Sequence, residues 1–209
     1  MLGAHAAVMT GMARGTPPTE VLKDTFTDTH GTLYSNHTPD IGPRGVYNHV
    51  YNVQLVPRIY NNVLDSTYDG NICQGYILFP TGVCVATKAF DLYLECAYPW
   101  SGWGNTPDIR AYGCTMAGVI SNTNYIYCAC PGFAGNIAVA HTMSNTRYAY
   151  RMTYDGSDFK FYYKGNLIKT YNNPGLTLDE CQPLFYMVRN ASYFITVDNY
   201  SLYIHGLRP

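Results

Sequence analysis

The chain has 209 residues, a net charge of −1 at pH 7 and 13% charged residues, about half of the usual share of about 25%. This length fits one β domain, or one domain with an arm, and 47% hydrophobic residues are enough for a core. The near-neutral charge argues against a nucleic-acid-binding protein, which would present a basic face. The 21 tyrosines suit strands and also contact surfaces, so we expect much of the surface to meet a partner.

The first 23 residues are predicted to form an extended N-terminal arm. The segment has no positively charged start, and Gly and His interrupt its apolar run, so we expect neither a signal peptide nor membrane insertion. Thr16, Pro17 and Pro18 are typical of a stiff spacer, and only Glu20 to Lys23 could form a short helical turn. Two interpretations stay open: a disordered tail, and an arm that orders against a neighbouring subunit.

After the arm, the pattern predicts a succession of short strands. Thr25 to Thr27 favour a strand, and the stretches that follow are rich in β-branched or aromatic residues and bounded by Gly, Pro or Asn. They are residues 75–80, 82–100, 111–120, 124–130, 136–143 and 184–190. Many short strands with regular turn signals indicate a sandwich or a barrel.

Residues 148–171 carry the clearest pattern, three strands joined by two tight turns. Asp155-Gly156 and Gly165-Asn166 are predicted at the turns, because Gly, Asn and Asp reach positive φ at little cost. Between the turns the residues alternate with period two, which predicts an antiparallel sheet packed on a core. The inward residues are predicted to be Phe159, Phe161 and Tyr163, and the outward residues Lys160, Tyr162 and Lys164.

Both ends of the domain resemble a known family. The phrase from Asp24 to Gly42, DTFTDTHGTLYSNHTPDIG, is similar to the opening strand and loop of concanavalin A-like (laminin-G-like) jelly-roll domains. Asp198, Asn199, Tyr200 and Ser201 resemble the closing strand of that family. The resemblance implies an all-β, antiparallel two-sheet sandwich over residues 24–209, of a kind frequent in bacteriophage virion proteins and in secreted bacterial proteins.

The residue pattern predicts no catalytic residue. The family that this chain resembles includes glycoside hydrolases, whose carboxylates lie on one strand in an ExDxE-like pattern. In this chain Asp91 and Glu95 lie four residues apart, with Tyr93 between them. The histidines lack metal-binding spacing, and a plain Asp-Gly turn explains Asp65, Asp69 and Asn71 as well as a calcium site does. We therefore predict a protein that is not an enzyme, with no metal and no cofactor.

The seven cysteines are predicted to be reduced and mostly buried. No CxxC occurs, and Cys128 and Cys130 lie on the same strand face, which is a poor geometry for zinc. Thiols of this kind are typical of a protein that folds in a cytosol.

Residues 98–108, YPWSGWGNTPD, form the candidate contact loop. Tyr98, Trp100 and Trp103 offer aromatic faces, and Asn105 and Asp108 offer polar groups beside them. Three interpretations stay open: indoles that close the end of the sandwich, a protein contact, and a sugar site.

These observations favour a non-enzymatic virion structural protein of a phage, either a decoration, a capsid-associated or a tail-associated subunit, assembled in the host cytoplasm. Its predicted partners are other virion proteins and further copies of itself, bound through the arm and the Tyr-rich surface. The alternative is a carbohydrate-binding adhesin module for host surface glycans, and a secreted glycoside hydrolase is the least favoured.

Overall fold

The computed structural model describes residues 18–49, 57–65, 73–79, 84–85, 89–98, 104–111, 114–120, 125–130, 132–138, 144–172, 174, 180–181, 184–189 and 196–205. Within these ranges every regular element is a strand, except for one 3-10 turn at Tyr34–Asn36. No helix in this part of the chain is long and apolar enough to cross a membrane. The strands form two large antiparallel sheets, which confirms the predicted all-β sandwich.

The nine-stranded sheet contains both ends of the described chain. Its strands are β1 (Thr19–Asp24), β2 (Thr32–Leu33), β4 (Arg58–Tyr60), β5 (Val63–Asp65), β8 (Phe90–Tyr98), β13 (Ser144–Tyr154), β14 (Asp158–Tyr163), β15 (Asn166–Asn172) and β18 (Thr196–Ile204). They run in the order β15-β14-β13-β8-β18-β5-β4-β2, and β1 pairs with the second half of β18.

The seven-stranded sheet contains β3 (Val46–His49), β6 (Cys73–Leu78), β9 (Gly104–Ala111), β10 (Cys114–Ile120), β11 (Tyr125–Cys130), β12 (Phe133–Ala138) and β17 (Leu184–Arg189). Their order is β12-β11-β10-β9-β17-β6-β3. A separate two-residue ladder joins β7 (Cys84–Val85) to β16 (Glu180–Cys181).

The segment that we expected to belong to the arm contributes a strand. Thr19 to Lys23 lie in β1, which pairs with β18, so the predicted helical turn at Glu20–Lys23 is wrong and the sandwich begins by Thr19. The reason is local: Leu22 and Asp24 are buried at alternate positions, which is the periodicity of a strand. The rest of the predicted arm, residues 1–17, lies outside the described residues.

The β13–β15 meander is confirmed, with Phe159, Phe161 and Tyr163 buried at alternate positions of β14. Its turns differ from the prediction. Tyr163 pairs with Asn166, so Lys164 and Gly165 are the two central residues, and both have positive φ. The Asp155 turn is longer than two residues, and the Asp155 carboxylate accepts hydrogen bonds from the backbone N–H groups of Ser157 and Asp158.

Aromatic rings join the two sheets across the core. Phe79 follows β6 in one sheet and stacks on Tyr200 of β18 in the other, with centroids 4.8 Å apart. At the β12/β15 edge the Tyr171 hydroxyl donates to the Cys128 carbonyl oxygen at 3.1 Å, and Phe133 stacks on the Tyr171 ring. These contacts fix how the sheets face each other, because aromatic pairs contribute about 0.5–1.5 kcal/mol beyond their buried area.

Candidate functional site

One row of residues crosses the whole seven-stranded sheet. Directly opposed residues of antiparallel neighbours lie on the same face, and five of the six interstrand steps in the row are direct register pairs. The step from β17 to β9 continues the pairing of Phe185 with Ile109 by one residue. The row is Asn48, Tyr76, Tyr186, Asp108, Ala117, Tyr127 and Asn136.

The row belongs to the outer face of the sheet. Ile126 and Cys128 are buried in the core, whereas Tyr127 between them is only partly buried. Ile109 and Met116 are likewise buried, and they alternate with the positions of the row. By register, three tyrosines, two asparagines, one aspartate and one alanine therefore occupy positions on the same face of the sheet.

A β-bulge brings two of the predicted site residues onto this face. Asp108 pairs with Ala117 and Asn105 with Val119, so three steps along β9 correspond to two steps along β10. The extra residue falls beside Pro107, which cannot donate a ladder hydrogen bond and is tolerated in a sheet at bulges. Without the bulge, Asn105 and Asp108 would lie on opposite faces.

Of the other predicted site residues, the structure describes only Tyr98, which does not belong to this row. Tyr98 ends β8 in the nine-stranded sheet, where it pairs with Ser144. The connection from β8 to β9 passes from one sheet to the other, and Trp100 and Trp103 lie on it, outside the described residues. The sequence did not point to Tyr76, Tyr127 or Tyr186, which come from distant segments.

The two sheets differ in charge. The seven strands of this sheet carry only three Asp, Glu, Lys or Arg residues, namely Asp108, Arg110 and Arg189, whereas the strands of the nine-stranded sheet carry thirteen. The row therefore lies on a surface of aromatic and neutral polar residue types.

On the outer face of the nine-stranded sheet, charged side chains form salt bridges with one another. The Arg151 guanidinium binds the Asp91 carboxylate through two nitrogens and lies 5.0 Å from the centre of the Tyr162 ring. Arg147 pairs with Asp198 at 2.9 Å. These contacts hold the side chains of this face in place.

Glu95 lies on that same face. It accepts a hydrogen bond from the Tyr93 hydroxyl at 3.3 Å. Burial and the Glu95 carboxylate both raise the pKa of Tyr93. Burial raises the pKa of Asp198, Arg147 opposes the shift, and nearby Glu95 adds to it.

A buried carboxylate–imidazole–carboxylate cluster holds the segment after β1, and sequence reasoning missed it. His37 Nε2 lies 2.8 Å from Asp24 Oδ1, and His37 Nδ1 lies 3.0 Å from Asp28 Oδ2. His37 and Asp24 are each 2% exposed. Burial raises the pKa of Asp24, while His37 opposes that shift and lowers the pKa of Asp28.

We interpret this cluster as structural. Asp24 also accepts the backbone N–H of Phe26, which has a φ of +51° and is fully buried. Asp24, Asp28 and His37 all lie in the segment 24–42 that resembles the family. That segment was the one sequence signal from which the cluster could have been predicted. Within the described ranges no group of three or more His, Cys, Asp or Glu residues is placed to hold a metal ion.

Comparisons with known proteins identify the fold. Neither a protein-family model nor a curated protein sequence matches this chain. Solved structures are similar over most of the chain. The Emp47p carbohydrate recognition domain covers 94% of this chain and 100% of its own at 8% identity, with a TM-score of 0.63.

Two further structures cover the chain to a similar extent. The catalytic domain of an endo-1,3-beta-glucanase (laminarinase) from Thermotoga petrophila RKU-1 covers 91% of this chain and 99% of its own at 12% identity, with a TM-score of 0.61. The CBM2 module of Lactobacillus casei BL23 phage J-1 evolved Dit covers 92% and 98% at 10% identity, with a TM-score of 0.54. The fold is a concanavalin A-like jelly roll, shared by enzymes and by recognition domains, as the sequence resemblance implied.

Proposed function

We propose that this chain is a non-enzymatic glycan-binding domain whose sugar lies across the outer face of the seven-stranded sheet. The observation that carries the proposal is the row from Asn48 to Asn136, in which the strand register aligns three tyrosines, two asparagines and Asp108 on one face of the sheet. Similar structures include a carbohydrate recognition domain and a phage CBM2 module, which supports this choice among the functions that the fold hosts.

The residue types in the row suit a sugar. A tyrosine ring offers an apolar surface to the C–H face of a pyranose and a hydroxyl to its oxygens. Carboxylate and amide groups bind sugar hydroxyls, and the bond to a carboxylate is the stronger because it is charge-assisted. With a single acidic residue and a single neighbouring arginine on β9, the surface favours an uncharged glycan over a highly anionic one.

A non-catalytic role is supported by the distribution of carboxylates. Glycosidases need two carboxyl groups about 5 to 10 Å apart, and the strands of the seven-stranded sheet supply one, Asp108. On the opposite sheet Asp91 is bound by Arg151, and Glu95 accepts a hydrogen bond from Tyr93. A carboxylate that is fixed by a guanidinium is a poor nucleophile, because its charge is already neutralised.

Binding is tested with the purified chain on a glycan array, followed by titration of the best ligand. We expect Tyr186→Ala and Asp108→Asn each to weaken binding about tenfold or more, since tenfold corresponds to about 1.4 kcal/mol. Tyr162→Ala is the matched control, because Tyr162 lies on the outer face of the other sheet beside Arg151. The variants are first checked for an unchanged melting temperature.

Two results would contradict the proposal. Equal losses in Tyr186→Ala and Tyr162→Ala would mean that the row is not the site. Hydrolysis of a polysaccharide that stops in Glu95→Gln would mean that the chain is an enzyme and that the carboxylates of the nine-stranded sheet carry the reaction. Trp103→Ala reports separately whether the β8–β9 connection extends the sugar site.

We propose a phage virion as the setting, with the chain as an adhesin subunit. The sequence resemblance and the phage CBM2 module of the same fold support it. In this setting the residues before Thr19 dock onto other virion proteins, and a Tyr-rich surface outside the row contacts further copies of the chain. The glycan-binding face then remains available to host surface sugars.

A further inference from the structure

Two pairs of cysteines lie opposite each other across neighbouring strands. Cys84 of β7 is the register partner of Cys181 of β16. Cys114 of β10 and Cys130 of β11 continue the pairing of Thr115 with Ala129 by one residue. Four of the seven cysteines thus form two cross-strand pairs.

The geometry of such pairs fits a disulfide. Opposed residues of an antiparallel ladder have Cα atoms about 4.5 to 5.5 Å apart, inside the range of about 4.4 to 6.8 Å that disulfides require. The sulfurs of Cys114 and Cys130 are only 2.7 Å apart, and both residues are buried. By contrast, the Cys96 thiol donates to the Tyr148 carbonyl oxygen at 3.9 Å.

The two-residue ladder adds an independent argument at Cys84 and Cys181. Among the described residues, β7 and β16 pair only with each other, through Glu180 with Val85 and Cys181 with Cys84. Isolated two-stranded pairs are at best marginally stable in water, even when they are longer. A covalent bond at one of its two rungs would hold such a ladder together.

We propose that Cys84–Cys181 and Cys114–Cys130 are disulfide-forming pairs, and that the chain acquires both bridges once it leaves a reducing compartment. In each pair the two thiols lose two protons and two electrons and form one S–S bond. A small disulfide such as oxidised glutathione takes up the electrons and protons and becomes two thiols. Cys73, Cys96 and Cys128 stay reduced.

The two bridges have different consequences. Cys114–Cys130 closes residues 114–130 and fixes β10 to β11, next to the strand that carries Asp108. Cys84–Cys181 ties together segments that are almost a hundred positions apart in the sequence. Both restrict the unfolded chain, so both stabilise the folded protein relative to its reduced form.

The test is direct mapping of the wild-type chain. The protein is refolded in a buffer of reduced and oxidised glutathione, remaining thiols are alkylated, and peptides are sequenced by mass spectrometry without reductant. We expect two cross-linked peptide pairs, Cys84 with Cys181 and Cys114 with Cys130, and alkylated Cys73, Cys96 and Cys128. Reduction should lower the melting temperature by about 5 to 10 °C per bridge.

Variants separate the two bridges. Cys114→Ser should remove only its own cross-link, and its melting temperature should respond about half as much to reduction as that of the wild type. Cys128→Ser is the matched control: Cys128 is also buried on β11, but it pairs with Met116, so both bridges should remain. Absence of either cross-link in the wild type, or pairing of either member with another cysteine, overturns the assignment of that pair.

Discussion

The buried cluster at His37 allows a quantitative test of what holds the β1–β3 segment in place. His37→Ala removes an imidazole that bridges two carboxylates, one of them in the core. Removing the partner that compensates a buried carboxylate costs about 3–5 kcal/mol, because the charge of the carboxylate is left buried. The second contact adds little, since Asp28 is 28% exposed and water screens it.

We therefore expect a loss of about 4 kcal/mol, a large part of the 5–15 kcal/mol by which domains are usually stable. With a urea m-value of about 2 kcal/mol/M, the unfolding midpoint falls by about 2 M. His30→Ala is the control, because His30 belongs to the same segment but is exposed, and its ring makes an edge contact with Tyr60 at 4.6 Å. Its cost should stay below about 1 kcal/mol.

The pH dependence of His37→Ala distinguishes a buried charge from a simple loss of packing. Burial raises the pKa of Asp24 above its ordinary value of 3.8, and His37 opposes this shift, so the variant should raise it further. A carboxyl whose folded-state pKa is raised favours folding when protonated, and this stability is lost as the pH rises through the raised pKa.

Denaturation of the variant should therefore show stability regained as the pH falls from 7 towards 3.8. The double variant Asp24→Asn/His37→Ala should be more stable at pH 7 than the single one and should lack this gain. A loss in His37→Ala below about 1 kcal/mol at pH 7, or the same loss at every pH, would refute the charge-based account.

Two further perturbations test neighbouring features. In urea unfolding, Gly42→Ala should lower the free energy of unfolding by at least about 2 kcal/mol more than Gly31→Ala does. Both glycines have positive φ, but an added Cβ at Gly42 would clash with the Val21 carbonyl oxygen, whereas one at Gly31 would have no atom within 4 Å. Equal costs would mean that the close approach to β1 is not important. Deleting residues 1–18 leaves β1 intact, so the domain should keep its melting temperature but fail to enter particles; normal incorporation of the shortened chain would contradict a docking role for the arm.

The sandwich and its β13–β15 meander could be predicted from the sequence because their signals are local. Alternation at Phe159, Phe161 and Tyr163 depends on neighbours in the chain, and it is confirmed by burial. The second turn was misplaced by one residue, because Asn166 suits positive φ better than Lys164 does. The Lys164 ammonium lies 4.1 Å from the centre of the Tyr148 ring of β13, a contact between turn and neighbouring strand that the local sequence does not reveal.

The candidate site could be predicted only in part, because most of it depends on register. Asn105 and Asp108 were chosen for their chemistry, yet their spacing of three predicts opposite faces of a regular strand. The bulge beside Pro107 brings them together. The tyrosines of the row come from β6, β11 and β17, and their alignment follows from the strand order of the sheet, for which no local signal exists.

The contrast between the two outer faces explains why the seven-stranded sheet is the better candidate for a partner. On the nine-stranded sheet, Arg151 forms a salt bridge with Asp91, and Arg147 forms one with Asp198. A ligand on that face would have to replace these contacts and desolvate the paired charges, which costs free energy without a matching gain. The row through Asp108 contains one charge among tyrosines and amides, so a neutral, hydroxyl-rich ligand can bind there with little electrostatic cost.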